Sequence, residues 1–429
     1  MQLQYIIYLK LLYNIFIAFY PFAARLLSAK NDKARLWVEG RKGIFDRLSL
    51  AFAGNKQPVI WMHCSSLGEF EQGRPVLEAL RNGYPNHKFL LTFFSPSGYE
   101  VKKHYEGADW IFYLPMDSKR NAKQFFEIVN PSLVLFVKYE FWHYYLAEAK
   151  SRELPLLLIS GIFRNNQVFF KWYGSFYRKT LLCFTHLFVQ NNNSLALLKS
   201  IGIDDTAASI SGDTRFDRVI EIASAFQSIK AIEEFVGNSK VIVAGSTWTE
   251  DDEEMDHYAN SHPEIKFIIA PHEIENERIK ECLRLYKNAI LFSAWDLQTD
   301  KSNLQIPNCL IIDNIGMLSK LYYYATVCYV GGAFGDDGVH NVLEAAVYRK
   351  PVIFGPEYEK YVEATELIDA NGAISIDNAL QLERELDHLL NDPTYYSATA
   401  NSAGNYVKSK SGATAKVIHF VQEKRLLTN

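Results

Sequence analysis

Short, strongly apolar runs separated by helical stretches recur along this chain with a regularity that leaves few folds open. The first series of runs lies at residues 59–64, 89–94, 110–114, 133–137, 156–159 and 187–190. Between them sit stretches of helical pattern such as 74–81, 119–129 and 142–152. Strands that are apolar throughout need cover on both faces, so the alternation predicts a parallel sheet between layers of helix. A second series lies at 241–244, 267–270, 289–292, 309–312, 327–330 and 352–354. Residues 213–239 are polar, helical in pattern and free of any strand signal, which reads as a linker. Residues 413–427 read as one amphipathic helix. The expected class is α/β, with two doubly wound domains facing a cleft and ligands at the carboxyl ends of the strands.

The N-terminus carries a different signal. Residues 3–27 are strongly apolar, but Lys10, Asn14 and Pro21 interrupt them. Spanning a bilayer needs about 20 mostly apolar residues, and this segment barely meets that length. Arg25, Lys30, Lys33, Arg35, Arg41, Lys42 and Arg47 follow, against Asp32, Glu39 and Asp46. By the positive-inside rule the body then lies in the cytoplasm. Three readings stay open here: a single-pass anchor, an interfacial helix, and an ordinary buried first helix. Neither a short charged leader nor a small-residue cleavage site precedes the body, which argues against a cleaved signal.

Composition excludes several functions. Of the 429 residues, 45 are Lys or Arg and 49 are Asp or Glu, a net charge of −4. Nucleic-acid binding therefore has no electrostatic support. The five cysteines (Cys64, Cys183, Cys282, Cys309 and Cys328) are scattered and form no CxxC pair. That predicts neither a zinc site nor a disulfide framework and fits a reducing compartment. No HExxH, EF-hand, GxSxG, Walker A or GxGxxG pattern occurs, so metal hydrolysis, serine-nucleophile chemistry and P-loop or Rossmann cofactors have no motif behind them.

Chemistry is expected where polar loops follow strands. After 59–64 the chain reads HCSSLGEFE, residues 63–71. Ser66 and Gly68 lead into a helix whose first turn holds Glu69. The helix dipole favours an ionised carboxylate there, able to take a proton from a bound hydroxyl. A capping-box glutamate is the alternative. Glu140 follows another strand and points to the same region. Arg215 falls near the domain junction, as a functional cation or as half of a surface salt bridge. In the second half, Ser246-Thr247 and Pro271-His272 end strands, with His272 either structural or a phosphate donor. After 327–330 comes GGAFGDDGVHNVLE, residues 331–344. Gly331 and Gly332 allow close approach of backbone to a ligand. A helix starting near Asn341 offers N–H groups to a phosphate, and Glu344 suits a ribose diol.

Taken together, these motifs resemble those of the 3-deoxy-D-manno-octulosonic acid (Kdo) transferases, GT-B glycosyltransferases of lipopolysaccharide synthesis (family 30). The carriers are HCSSLGE at 63–69 against H-x-x-S-x-G-E, and KYEFW at 138–142 against E-x-E-x-W. GDTRFD at 212–217 stands against G-N-x-K-F-D, and 331–344 against G-G-x-F…G-H-N-x-L-E. The resemblance implies a GT-B fold of two Rossmann-like domains. It implies the donor CMP-Kdo, a lipid A precursor (lipid IVA) as acceptor, and inverting transfer with no metal or other cofactor. By motif position Glu69 is the proton acceptor, while Glu140 and Arg215 support the transition state. Pro271, His272, Ile315, Gly316, Met317, Asn341, Val342, Leu343 and Glu344 contact CMP. Ser246, Thr247, Gly331, Gly332 and His340 form the donor-site loop, and Ser66 and Gly68 the acceptor-side loop. The implied organisation is an anchor at 1–27, an acceptor domain at 28–212, a linker at 213–239, a donor domain at 240–410 and a C-terminal helix at 411–429. The implied location is the cytoplasmic face of the inner membrane.

The chain also departs from that pattern. The arginine of P-R-H is missing, so Pro271 runs directly into His272. Met317 stands where a carboxylate is usual, Lys138 replaces the first glutamate of E-x-E-x-W, and Arg215 replaces a lysine. Alternative readings are another membrane-associated GT-B enzyme with a different nucleotide sugar, a sugar-nucleotide epimerase, and a non-catalytic sugar-nucleotide-binding protein.

Overall fold

The computed structural model describes residues 2–298, 307–336 and 338–428; Asp337 and the side chains of residues 2–6 lie outside the described residues. The chain divides into two compact units, Met1–Arg218 with Ser411–Asn429, and Val219–Lys410.

The first unit is built on a seven-stranded parallel sheet. Its strands are β1 (Val59–Cys64), β2 (Lys88–Phe93), β3 (Trp110–Tyr113), β4 (Pro131–Val137), β5 (Leu156–Gly161), β6 (His186–Val189) and β7 (Ala208–Ile210), in the order β3-β2-β1-β4-β5-β6-β7. All six residues of β1 are buried. Its side chains alternate between two apolar layers, as the strand period requires. Trp61 packs with Phe125, Phe136 and Tyr145 on one face, and Ile60, Met62 and Cys64 pack with Phe70, Val76 and Leu77 on the other. The winding reverses between β1 and β4, which opens a crevice at their carboxyl ends.

The second unit repeats the plan with β8 (Val241–Thr247), β9 (Lys266–Pro271), β10 (Ala289–Leu291), β11 (Cys309–Ile311), β12 (Val327–Val330), β13 (Val352–Phe354) and β14 (Ala373–Ser375). The order is β10-β11-β9-β8-β12-β13-β14, and the reversal falls between β8 and β12. In both sheets the last strand, β7 or β14, escapes sequence reading. Each is three residues long, too short to show a period.

Residues 213–239, polar in composition, form the helices Thr214–Ser224 and Lys230–Val236. Ala231, Ile232, Phe235 and Val236 are buried, so the second helix is amphipathic and contributes to a core. The division between units falls after Arg218, inside the first helix. The C-terminal helix Ala413–Glu423 belongs to the first unit, where Val417 and Val421 join the layer around Met62. Asp217 fixes its start, accepting the N–H groups of Gly412 and Thr414, each at 2.6 Å. A carboxylate remote in sequence thus caps this helix.

The N-terminal segment is one helix, α1 (Gln2–Leu27), whose stretch Ile7–Leu27 is long and apolar enough to cross a membrane. One face lies on the first unit. Tyr13 and Ile17 pack against Phe176, the Tyr13 hydroxyl donates to Asp117, and the Tyr144 hydroxyl donates to Asn14 at 2.6 Å. The polar residues that interrupt the apolar run therefore serve this docking. The opposite face leaves Ile7, Leu11, Ile15, Phe19, Phe22 and Leu26 exposed. Two further helices follow, α2 (Asp32–Glu39) and α3 (Ile44–Phe52).

Candidate active site

The reversal point of the first sheet brings Glu69 and Glu140 together. β1 runs through Ser65 and Ser66 into α4 (Leu67–Gly83). Ser66 is the N-cap and accepts the Glu69 N–H at 3.5 Å, while the Glu69 carboxylate reaches back to accept the Ser65 N–H. This is capping-box chemistry, so that reading of Glu69 is realised. The expectation that the helix dipole keeps Glu69 ionised needs correction. Burial, followed by the charge of Glu140, pushes its pKa up to about 8, against the smaller pull of Lys138 and the Ser65 and Ser66 N–H groups. Desolvation outweighs the dipole here. The result suits a base working near neutrality.

Glu140 lies just beyond β4. Lys138 leaves the strand with φ +64°, a left-handed conformation, and Ser160 at the end of β5 and Ser246 near the end of β8 do the same. Such backbone is unfavourable for non-glycine residues and gathers at functional sites. Glu140 is buried; Trp142 Nε1 donates to it, and His63 Nε2 lies 3.2 Å from the same oxygen, Oε2. On the far side of the imidazole, Nδ1 is 2.9 Å from Thr92 Oγ1, which accepts Trp61 Nε1–H at 2.8 Å. Indole N–H only donates, so the Thr92 hydroxyl proton is free to point at Nδ1. That assigns the His63 proton to Nε2, facing Glu140; the other tautomer would set a lone pair against a carboxylate. His63, Thr92 and Trp61 were not singled out as site residues from the sequence, although His63 opens the first motif. Two strands join only on folding: Thr92 lies opposite His63 in the β1–β2 pairing.

Arg215 is tied to Asp213. Its Nε and Nη2 lie 2.9 and 2.8 Å from Asp213 Oδ2, and its own N–H bonds Asp213 Oδ1 at 2.9 Å. Asp213 is buried while the Arg215 side chain stays partly exposed. The salt-bridge reading is thus realised, with a buried acid aiming the guanidinium. Gln72 connects this strap to the carboxylates. It stands one turn beyond Glu69 on α4, places Nε2 3.5 Å from Asp213, and accepts the Thr214 hydroxyl at its carbonyl. Gly68 is exposed, and a Cβ there would meet nothing within 4 Å, so packing does not require glycine at this position.

In the second unit the reversal between β8 and β12 gathers the other predicted residues. Asp251 organises them. This buried carboxylate accepts N–H groups of Trp248 and Gly332, each at 2.9 Å, and the Tyr329 hydroxyl at 2.7 Å. Gly331 and Gly332 are required: a Cβ would lie 2.5 Å from the Ser246 carbonyl in the first case and 2.6 Å from the Gly338 carbonyl in the second, where φ is +95°. Trp248, His272 and His340 form a stack, with ring centroids 4.7 and 4.5 Å apart, and Trp248 Nε1 donates to His340 Nε2 at 3.2 Å. His272 is exposed within this stack, and its N–H bonds the Thr247 carbonyl at 2.9 Å. Ile315 and Gly316 lie on an exposed loop, where Gly316 has φ +95°.

The helix expected from Asn341 is shorter than predicted. Only Leu343–Ala346 is helical. Asn341 bonds the Leu343 N–H at 3.3 Å and donates to Glu344 Oε1 at 2.9 Å, the local side-chain competition typical of asparagine. Arg349 at φ +58°, before Pro351, ends the turn. The side chains of Val342 and Leu343 are buried and anchor the loop. Among the described residues no group of three or more His, Cys, Asp or Glu side chains is placed to hold a metal ion.

Residues 42–218 match the family model for 3-deoxy-D-manno-octulosonic-acid transferase (kdotransferase). The 3-deoxy-D-manno-octulosonic acid transferase of Aquifex aeolicus is 28% identical over 343 residues, 78% of this chain and 87% of that protein. A bifunctional glycosyltransferase/methyltransferase of Fusobacterium nucleatum is 25% identical over 354 residues; the chain spans about half (55%) of that protein's length. Among solved structures, the UDP-GlcNAc 2-epimerase of Neisseria meningitidis bound to UDP-GlcNAc superposes with a TM-score of 0.61 at 16% identity, over 85% of this chain and 100% of that one. At that identity the likeness shows the fold, two doubly wound domains of the GT-B kind.

Proposed function

We propose that this chain is a glycosyltransferase of the Kdo transferase family that moves Kdo from CMP-Kdo to the lipid A precursor lipid IVA, with inversion and without a metal. The observation that carries the reading is Glu69, raised to about 8 beside Glu140 at the reversal point of the acceptor sheet. In its ionised form Glu69 takes the proton from a primary hydroxyl of the acceptor as that oxygen attacks the anomeric carbon. The bond to the CMP phosphate breaks on the opposite face, and the phosphate leaves with the electron pair. Arg215, aimed by Asp213, offsets charge that grows on the departing phosphate, and Glu140 stabilises the oxocarbenium-like centre. CMP lies against the second unit, along the segments 271–272, 315–317 and 341–344, with His272 in place of the missing arginine.

An amphiphilic acceptor explains α1. Its exposed apolar face, opposite a face bonded to the body through Tyr13 and Asn14, supports an interfacial helix at the cytoplasmic surface of the inner membrane. The decisive experiment incubates purified protein with CMP-Kdo and lipid IVA in the absence of divalent metal, and weighs the lipid. A gain of one or more Kdo masses is expected. No gain with CMP still bound would leave the fold and overturn the substrate pair.

A further inference from the structure

Beside α1 the first unit holds a pocket of about 480 Å³ whose lining joins the last turn of α1, the α2–α3 turn and the loop after β3. Its walls are apolar, from Pro21, Trp37, Ile44, Phe45 and Met116, yet Arg25, Arg41 and Lys42 line it against a single acid, Asp46. Arg41 is the unusual member. Its Nε donates to the Leu114 carbonyl at 2.9 Å, Nη2 to the Phe94 carbonyl at 2.8 Å and Nη1 to the Trp37 carbonyl at 3.2 Å. The guanidinium also lies 4.1, 4.8 and 5.0 Å from the ring centroids of Trp37, Tyr113 and Phe94. No carboxylate is among its bonded partners within the described residues. Burial pulls its pKa down to about 9, the sign of a charge held without a counter-ion.

We propose that this pocket binds a phosphate group of the lipid acceptor, held by Arg25 and Lys42 at the rim with Arg41 behind them. An apolar wall with three cations matches a phosphorylated amphiphile, and the exposed face of α1 brings the pocket to a lipid surface. The acceptor, rather than bulk lipid, is the occupant because Phe94 links the pocket to the carboxylates. Its carbonyl holds Arg41, and its ring lies 4.6 Å from that of Trp142, which donates to Glu140. A phosphate in this pocket is thereby connected to Glu140 through Arg41, Phe94 and Trp142. This proposal rests on the acceptor proposed above, lipid IVA, a phosphorylated glycolipid.

Equilibrium binding in detergent tests it, using lipid IVA and the same lipid stripped of phosphate by a phosphatase, on the full chain. The unaltered protein is expected to prefer the phosphorylated lipid by about tenfold or more, the scale of a charge-assisted contact. In Arg25→Ala with Lys42→Ala, both on exposed positions, that preference should fall to near one. Equal affinity of the unaltered protein for the two lipids would overturn the proposal, and so would a double variant that keeps its preference. Loss confined to binding of anionic phosphatidylglycerol vesicles, with the acceptor preference intact, would overturn it in favour of a headgroup site. Because binding is read and not turnover, a protein that showed the preference yet transferred no Kdo would refute the donor assignment and support the pocket.

Discussion

His63 Nε2 and Glu140 Oε2 lie 3.2 Å apart in the interior of the first unit, and the same Glu140 oxygen accepts the Trp142 indole N–H. Two donors on one oxygen hold the carboxylate in a single orientation. From there its charge acts on Glu69, the group proposed to take the proton. Lys138 on the β4 loop also acts on Glu69, pulling its pKa down. The second glutamate of the site is thus placed by residues outside the obvious motif carboxylates.

Transfer should rise with pH through about 8 as Glu69 ionises, since the base works in its charged form. Glu140→Gln removes the charge that helps to raise Glu69, so the acid limb of kcat/KM should move to lower pH even as kcat falls. Glu69→Ala should abolish transfer and leave CMP affinity near that of the parent. The check is a pH–rate profile of parent and Glu140→Gln from pH 5.5 to 9.5. An unmoved limb would remove Glu69 from the role of base.

Thr92→Val keeps the shape of the side chain but deletes the hydroxyl between Trp61 and His63. A buried indole N–H then loses its acceptor, at about 1–3 kcal/mol of stability. The imidazole is also released to its other tautomer, donating to the Thr92 backbone carbonyl at 3.1 Å and turning a lone pair to Glu140. Chemical denaturation should show the stability loss, and kcat should fall with the KM for CMP-Kdo unchanged. Thr92→Ser, which restores the hydroxyl, should recover the rate. Failure of that rescue would mean the hydroxyl does not set the tautomer.

The alternation of apolar runs was enough to place twelve of the fourteen strands among the described residues near their observed positions, because buried parallel strands announce themselves as strongly hydrophobic runs. What it could not show is pairing across strands. Thr92 reads as one polar residue in an apolar run, and only the β1–β2 register reveals that it faces His63. Asp251 reads as one of six acids in TEDDEEMD, yet it alone is bonded to Gly332 and Tyr329. Asp217 was legible as a motif residue but not as the cap of a helix nearly two hundred positions later. Glu69 shows the local capping role that spacing predicts, whereas its raised pKa runs against the dipole expectation and needs burial and a neighbour to exist.

Glu344 and Asn341 should act on the nucleotide as a unit. Asn341 donates to Glu344 Oε1 at 2.9 Å and so orients the carboxylate proposed for the ribose. Glu344→Ala should weaken CMP binding by about 1–3 kcal/mol, the range for a charged hydrogen bond. Asn341→Ala should cost part of the same energy, and the double variant less than the sum, since neighbours in one network are not additive. Calorimetric titration with CMP closes this cycle. Strict additivity would show that the two residues bind independently.

Asp117 links α1 to the segment that carries Glu140. Its carboxylate accepts the Tyr13 hydroxyl of α1 and the N–H groups of Tyr144 and Tyr145 at 3.1 and 3.0 Å, capping the helix that begins just after Glu140–Trp142. Burial raises its pKa to about 6, and the Tyr13 hydroxyl and the two N–H groups only partly offset this. A carboxyl whose folded pKa lies above its unfolded value contributes stability fully at low pH. That contribution is lost as pH climbs from about 4 through 6, by roughly 2–3 kcal/mol. Asp117→Asn keeps an acceptor for Tyr13 but cannot ionise. Its unfolding free energy should therefore be flatter than the parent's between pH 4 and 7, measured by urea denaturation at each pH. Tyr13→Phe should push the carboxyl higher still and steepen the fall. If parent and Asp117→Asn show the same slope, Asp117 is solvated in solution and α1 is not seated on it.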